Sequence, residues 1–178
     1  MIIYDCSEYS RYLGNIFNNF NSEKISGDIK VVIVDRYYGG VHSSNNENIK
    51  GFLRFIKNLI SNCEITWFYD GTKTTKLYND VQLVDKKIDY SKYGIDIHDR
   101  FLFIYDKKEK MRVQSLHLGA SINNYSIKTS GQGNSVGIFR ISNLIEDDEK
   151  KKDRGIEKLL KKLGNIYHQK YGQEMWCY

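Results

Sequence analysis

The 178-residue chain has no proline, only three cysteines and four histidines, and no long apolar run. Without proline, and with no internal repeat, it offers no linker at which to divide it, so a single domain around one core is expected. Cys6, Cys63 and Cys177 are odd in number, widely spaced and form no CxxC pair. This spacing points away from a disulfide framework or a zinc site and toward reduced, partly buried thiols. The longest apolar stretches, such as VVIV at 31–34, fall far short of the roughly 18 residues that cross a membrane. The opening MIIYDCSEYS lacks a basic region leading into a long apolar one. No transmembrane segment is expected, and the composition reads as that of a soluble, cytoplasmic protein.

What is present argues for a globule. Hydrophobic residues make up 40% and charged residues 28%, with 14 Tyr and 8 Phe, too aromatic and apolar for a disordered chain. The net charge of +5 and a pI near 8.9 favour an anionic partner such as nucleic acid or a lipid headgroup. Much of that excess lies in EKKKDRGIEKLLKK at 149–162. Ile156, Leu159, Leu160, Leu163, Ile166 and Tyr167 recur there at helical spacing, predicting a basic amphipathic helix over 146–170. Its lysines are either a solvated face or, through Lys150, Lys151 and Lys152, a contact to nucleic acid.

Tyr9, Leu13, Ile16, Phe17 and Phe20 predict a first helix over 8–20, capped by Ser7. A buried strand follows at Ile29 to Val34, then a Gly/Ser/Asn loop, a helix carrying Ile49 to Ile60, and a strand at Ile65 to Tyr69. Leu77, Val81 and Val84 suggest another helix before a third strand near Tyr93 to Ile97. Phe101 to Tyr105 and Val113 to Leu118 read as a hairpin, and Val136 to Ile141 as a further strand. The expected fold class is α/β, a mixed, mostly parallel sheet flanked by helices.

The stretch most informative about chemistry runs from Ile97 to Asn124. His98 and Arg100 alternate, so on an extended segment an imidazole and a guanidinium address one phosphate from the same face. Gly119 and Ala120 allow close backbone approach, and Ser121 and Asn123 present a hydroxyl and an amide suited to an oxyanion. Asp35 and Asp70 end predicted strands, where polar side chains line a ligand crevice; they either orient His98 or form turns. His42 sits in a loop that could reach the same sheet end, but His42, His117 and His168 are read as bystanders, and Trp67 and Trp176 as packing residues.

At these residues the chain resembles the phospholipase D superfamily, whose signature is H-x-K, four residues, D, then a hairpin leading to G-S-x-N. His98 matches the His, Arg100 stands at the Lys, and Ala120-Ser121-Ile122-Asn123 matches the final element with Ala for Gly. Tyr105 stands where the signature Asp falls, with Asp106 one residue later. The nearest likeness is to the short single-motif "HDR…GAS" branch, related to the C-terminal phospholipase D-like domain of MIT-domain proteins. There a strand like Lys30 to Gly40 precedes the motif, and the likeness covers roughly 30–143. It implies a single phospholipase D-like sandwich and a metal-independent phosphodiesterase, most plausibly a nuclease, in which His98 attacks phosphorus while Arg100 and Asn123 hold the non-bridging oxygens. No cofactor follows from that route. A single motif implies a homodimer that pairs two His98 side chains, and the branch suggests bacterial defence. Because Arg binds phosphate in a fork but does not donate a proton near neutral pH, a phosphate-recognition module without turnover stands beside the enzyme. A subunit of a larger complex is the third alternative.

Overall fold

A computed structural model describes residues 2–4, 29–38, 43–60, 62–74, 83–118, 121–122, 136–141 and 150–175. Seven strands form one sheet: β1 Ile2–Tyr4, β2 Ile29–Val34, β3 Glu64–Tyr69, β4 Lys86–Asp89, β5 Arg100–Asp106, β6 Met111–Leu118 and β7 Val136–Ile141. Their order is β1-β7-β6-β5-β2-β3-β4. Helix α1 spans Ser43–Leu59 and helix α2 Lys150–Tyr171. The class is α/β, as expected, and the sheet is mixed. It is not mostly parallel, however: β2 with β3 and β3 with β4 pair parallel, and the other four pairings are antiparallel. The difference follows from chain connection, because β5 and β6 are joined by a tight turn, which only antiparallel strands can accept.

Alternation along β2 explains the layers. Val31 and Ile33 face one cluster with Ile49, Phe52, Leu53 and Ile56 of α1, while Val32 and Val34 face a second with Leu160, Leu163, Ile166 and Tyr167 of α2. All six residues of β2 are buried, as expected of a central strand covered on both faces. Each helix contributes apolar residues at intervals of three and four, so each buries one stripe and leaves the other solvated. No helix among the described residues is long and apolar enough to cross a membrane. Cys63 is buried and free, and burial pushes its thiol up to about 11.

The third parallel strand lies earlier than Tyr93 to Ile97, at β4. The Asp89 side chain accepts from the Ser91 backbone N–H and turns the chain into a 3-10 segment, Tyr90–Tyr93, which Gly94 closes at φ 65°. The residues that suggested a strand lie outside the sheet instead: Tyr93 is exposed, and Ile97 is buried, its carbonyl accepting from the hydroxyl of buried Tyr90. Asp89 also accepts from the Gly71 N–H at 2.8 Å. A Cβ on Gly71 would lie 2.2 Å from that carboxylate, so only glycine allows the approach. The expected helix over 8–20, residues 75–82 of the next one, and residues 146–149 lie outside the described residues.

At the end of the sheet where β2 and β3 begin, one carboxylate gathers three cations. Glu64 lies 3.5 Å from Lys30, 3.1 Å from Lys86 and 3.4 Å from Lys107. Lys30 is only 2% exposed and sits 3.9 Å over the Tyr167 ring, so α2 is fastened to the sheet through cation–π contact as well as apolar packing. Half-burial pushes the Glu64 carboxyl up, but the lysines outweigh it and hold it below its ordinary value. Glu64→Gln would remove a carboxylate that lies 3.5 Å from a buried ammonium and should cost about 3 kcal/mol in denaturant unfolding. Since the folded value is lowered, the wild-type advantage should be present above about pH 4.3 and fade as pH falls below it. A variant as stable as wild type at pH 7 would show the network to be dispensable.

Candidate functional site

The opposite end of the sheet collects the ends of β2 and β3 and the start of β5. Val34 pairs with Phe101 across β2 and β5, and Arg100 pairs with Leu118 across β5 and β6, so Asp35, Arg36, Asp70, His98, Arg100 and Ser121 meet at one rim. Alternation continues past β2 and divides them. Asp35 turns toward the α1 side and Arg36 toward the α2 side.

On the α1 side, Asp35 is fully buried and its carboxylate accepts from the Ser121 hydroxyl at 2.8 and 2.9 Å, the Ile122 N–H at 2.6 Å and the Tyr37 N–H at 3.1 Å. Trp67 Nε1 donates to the Asp35 carbonyl at 3.4 Å. Burial pushes the carboxyl up to about 6, against these donors and the field of Arg100. Arg100 is therefore near Asp35, and its buried Nε has no hydrogen-bond partner among the described residues.

On the α2 side, Arg36 lies between three acceptors. Its Nη1 donates to His98 Nδ1 at 3.2 Å, its Nη2 to Asp96 at 3.0 Å, and its Nε is 3.5 Å from Asp70. Asp96 also accepts from His98 Nε2 at 3.0 Å. A guanidinium only donates and a carboxylate only accepts, so the contacts fit the tautomer that accepts at Nδ1 and donates from Nε2. Asp70 is buried and bonded to the Thr72 amide and hydroxyl at 2.9 and 2.6 Å. Burial pushes the Asp70 carboxyl up, but Thr72 and Arg36 outweigh it and the net direction is down.

The sequence-derived residues thus separate into two groups. His98 precedes β5 rather than lying in it, so the alternation that was to place it beside Arg100 does not reach it. Asp70 supports His98 through Arg36, whereas Asp35 holds Ser121 and Ile122 instead, and the Ser121 O–H is engaged inward rather than offered to an oxyanion. Asp106 lies at the far end of β5, roughly 20 Å from Arg100 along the strand. It accepts from the Lys108 and Glu109 amides of the hairpin turn. Tyr105 is buried against α2. His117 approaches Asp99 at 3.4 Å and packs edge-on to Phe101. Asn123, His42 and the side chains of Lys150, Lys151 and Lys152 lie outside the described residues. No group of three or more His, Cys, Asp or Glu suited to a metal ion occurs among the described residues.

Sequence reasoning missed Arg36 and Asp96. The signal for Arg36 was its place directly after Asp35 at the end of a central strand, where consecutive side chains serve opposite faces. Asp96 carried no signal beyond lying two residues before His98.

The raised Asp35 carboxyl has a thermodynamic signature of definite sign. Its folded value near 6 exceeds the ordinary value near 3.9, so the folded state holds the proton more tightly and stability falls as pH rises from about 4 to about 6. Asp35→Asn removes the titration. Relative to that variant, the wild type should lose roughly 3 kcal/mol between pH 4 and pH 7 in denaturant unfolding. Parallel stability curves for the two proteins would place the Asp35 titration elsewhere.

Comparison with protein-family models, with curated proteins and with solved structures finds no match, so the chemistry of this rim rests on its own residues.

Proposed function

We propose that this chain is a phospholipase D-like phosphate-recognition domain whose ligand binds across Arg36 and His98. The observation that carries the proposal is the position of Asp96. Its two carboxylate oxygens span Arg36 Nη2 and His98 Nε2, both at 3.0 Å, although the side chain is 63% exposed. An exposed carboxylate held this way occupies a two-donor anion receptor, and a phosphate presents two oxygens at similar spacing with more charge. Arg36 is prepared for the role, because Asp70 anchors its Nε end and spares the fork the full entropy of ordering.

The H-x-R motif entering β5, and the β5–β6 hairpin that leads to Ala120-Ser121, support the phospholipase D-like reading. The state of His98 supports recognition over turnover. Nε2 carries the proton and the Nδ1 lone pair faces Arg36, so neither nitrogen has a lone pair free to attack phosphorus. A phosphodiesterase, with two His98 side chains meeting across a homodimer, is the second reading. The 70% exposure of the imidazole favours it, since a symmetry-related chain could reach the ring. Turnover would then require Asp96 to withdraw and the proton to move.

Inorganic phosphate, followed through the His98 ring nitrogens by NMR, tests the receptor. Arg36→Ala should cost about 1.5 to 3 kcal/mol of binding, the range for a hydrogen bond to a charged group. Asp96→Asn should bind phosphate more tightly than wild type, because the competing anion is gone. Equal affinity in all three proteins would refute the site.

A further inference from the structure

We infer that the groove between residues 95–99 and helix α2 is the path of a single strand of nucleic acid whose phosphate enters the receptor at His98. The inference rests on the phosphate reading of the Arg36–His98 pair and extends it to a ligand class.

Two adjoining cavities form the groove. One, of about 350 Å³, reaches His98 and Phe101 at the rim. The other, of about 380 Å³, carries Lys158, Lys161 and Lys162 along its helix side. Asp96, Ile97, Gly155 and Leu159 line both, so the two are continuous. From Gly155 to Asn165 the helix advances about 15 Å, a length suited to several linked phosphates rather than one. The floor is apolar, through Ile95, Ile97 and Leu159; the wall is cationic along the second cavity, through Lys158, Lys161 and Lys162, while the first carries His98 with the carboxylates of Asp96 and Asp99. Cations beside apolar surface suit a backbone of phosphates carrying bases, with Phe101 the aromatic ring at the His98 end. Cavities of this size match small-ligand clefts, which one strand can enter and a duplex cannot.

Gly155 supplies an independent observation. Glycine is the poorest helix former after proline, yet it stands inside α2 where nothing lies within 4 Å of an added Cβ. Packing among the described residues does not require it. A side chain there would project into the wall shared by the two cavities, so its absence keeps the groove open. A lipid surface fits less well. Among the described residues the one exposed large hydrophobic side chain is Tyr93, so the described surface presents no apolar patch to a bilayer.

The test uses fluorescence anisotropy with a labelled single-stranded deoxyoligonucleotide of about twelve nucleotides, the same sequence as a duplex, and phosphatidylserine vesicles. The single strand should bind more tightly than the duplex or the vesicles. Lys158→Gln with Lys162→Gln should weaken it at least tenfold and lower the slope of log affinity against log salt by about 1.4, at roughly 0.7 per phosphate contact. Gly155→Leu, a better helix former that keeps the charge, should weaken it similarly by filling the groove. In both variants inorganic phosphate should bind at His98 as in wild type. Unchanged oligonucleotide affinity in both, or preference for duplex or vesicles, overturns the groove while leaving the phosphate receptor standing. Groove-sensitive strand binding by a protein that ignores inorganic phosphate would refute the receptor reading and, with it, the path to His98.

Discussion

One buried carboxylate organises the open end of the sheet. Asp35 ends the central strand β2 with no water to solvate it, so every lone pair must be met by the protein or the fold carries an unpaired charge. The donors come from the residue after next, Tyr37, and from Ser121 and Ile122, some 86 positions away. The chain leaving β6 is thereby pinned across the end of β2, and Ile122 is drawn into the core under α1. Without that anchor, Arg100 would lose the negative group that faces it, and the rim would lose its floor.

A second chain of charges runs over this floor. Asp70 is fixed by Thr72 in a tight turn after β3, and it fixes Arg36 in turn, which orders His98 and Asp96. From Asp70 through Arg36 to Asp96 and His98 each group is more exposed than the one before it, so rigidity passes outward while the outermost pair remains open to solvent. Asp96 and His98 are the groups a ligand would meet, and they are the most exposed members of the chain.

Periodicity located most of the frame. The alternation and apolar content of 29–34, 64–69 and 100–118, and the three-and-four spacing in α1 and α2, correspond to elements because burial on defined faces dictates those patterns. The mixed direction of the sheet was less legible. Whether β5 runs with or against β2 depends on long-range pairing that no local spacing records. The strand assigned to Tyr93–Ile97 failed because Tyr93 ends the 3-10 segment with its ring exposed, and Ile97 is buried without joining the sheet, so apolar content there does not signal a strand. At the site, His98 and Ser121 stood out by motif. The partners of His98 did not, since Arg36 reaches it only through the fold and Asp96, two residues away, belongs to no motif. Asp35 was correctly placed at a strand end, but its orientation toward Ser121 depends on a segment far along the chain.

The two ends of the sheet show how similar residues acquire different duties. Glu64 lies among three lysines, and their attraction holds its carboxyl below its ordinary value. Asp35 has hydrogen bonds and one nearby guanidinium but no ion pair among the described residues, and burial wins, pushing its carboxyl up to about 6. The saturated network is a fastener for α2. The unsaturated one keeps cationic capacity in reserve, because Arg100 is not fully claimed by Asp35 and Arg36 lends its outer edge to an exposed, displaceable carboxylate. Displaceability is what separates a site from a brace: a ligand gains only where the group it replaces returns to water at little cost, and Asp96, well exposed and held at one edge, meets that condition while Glu64, half-buried among its cations, does not.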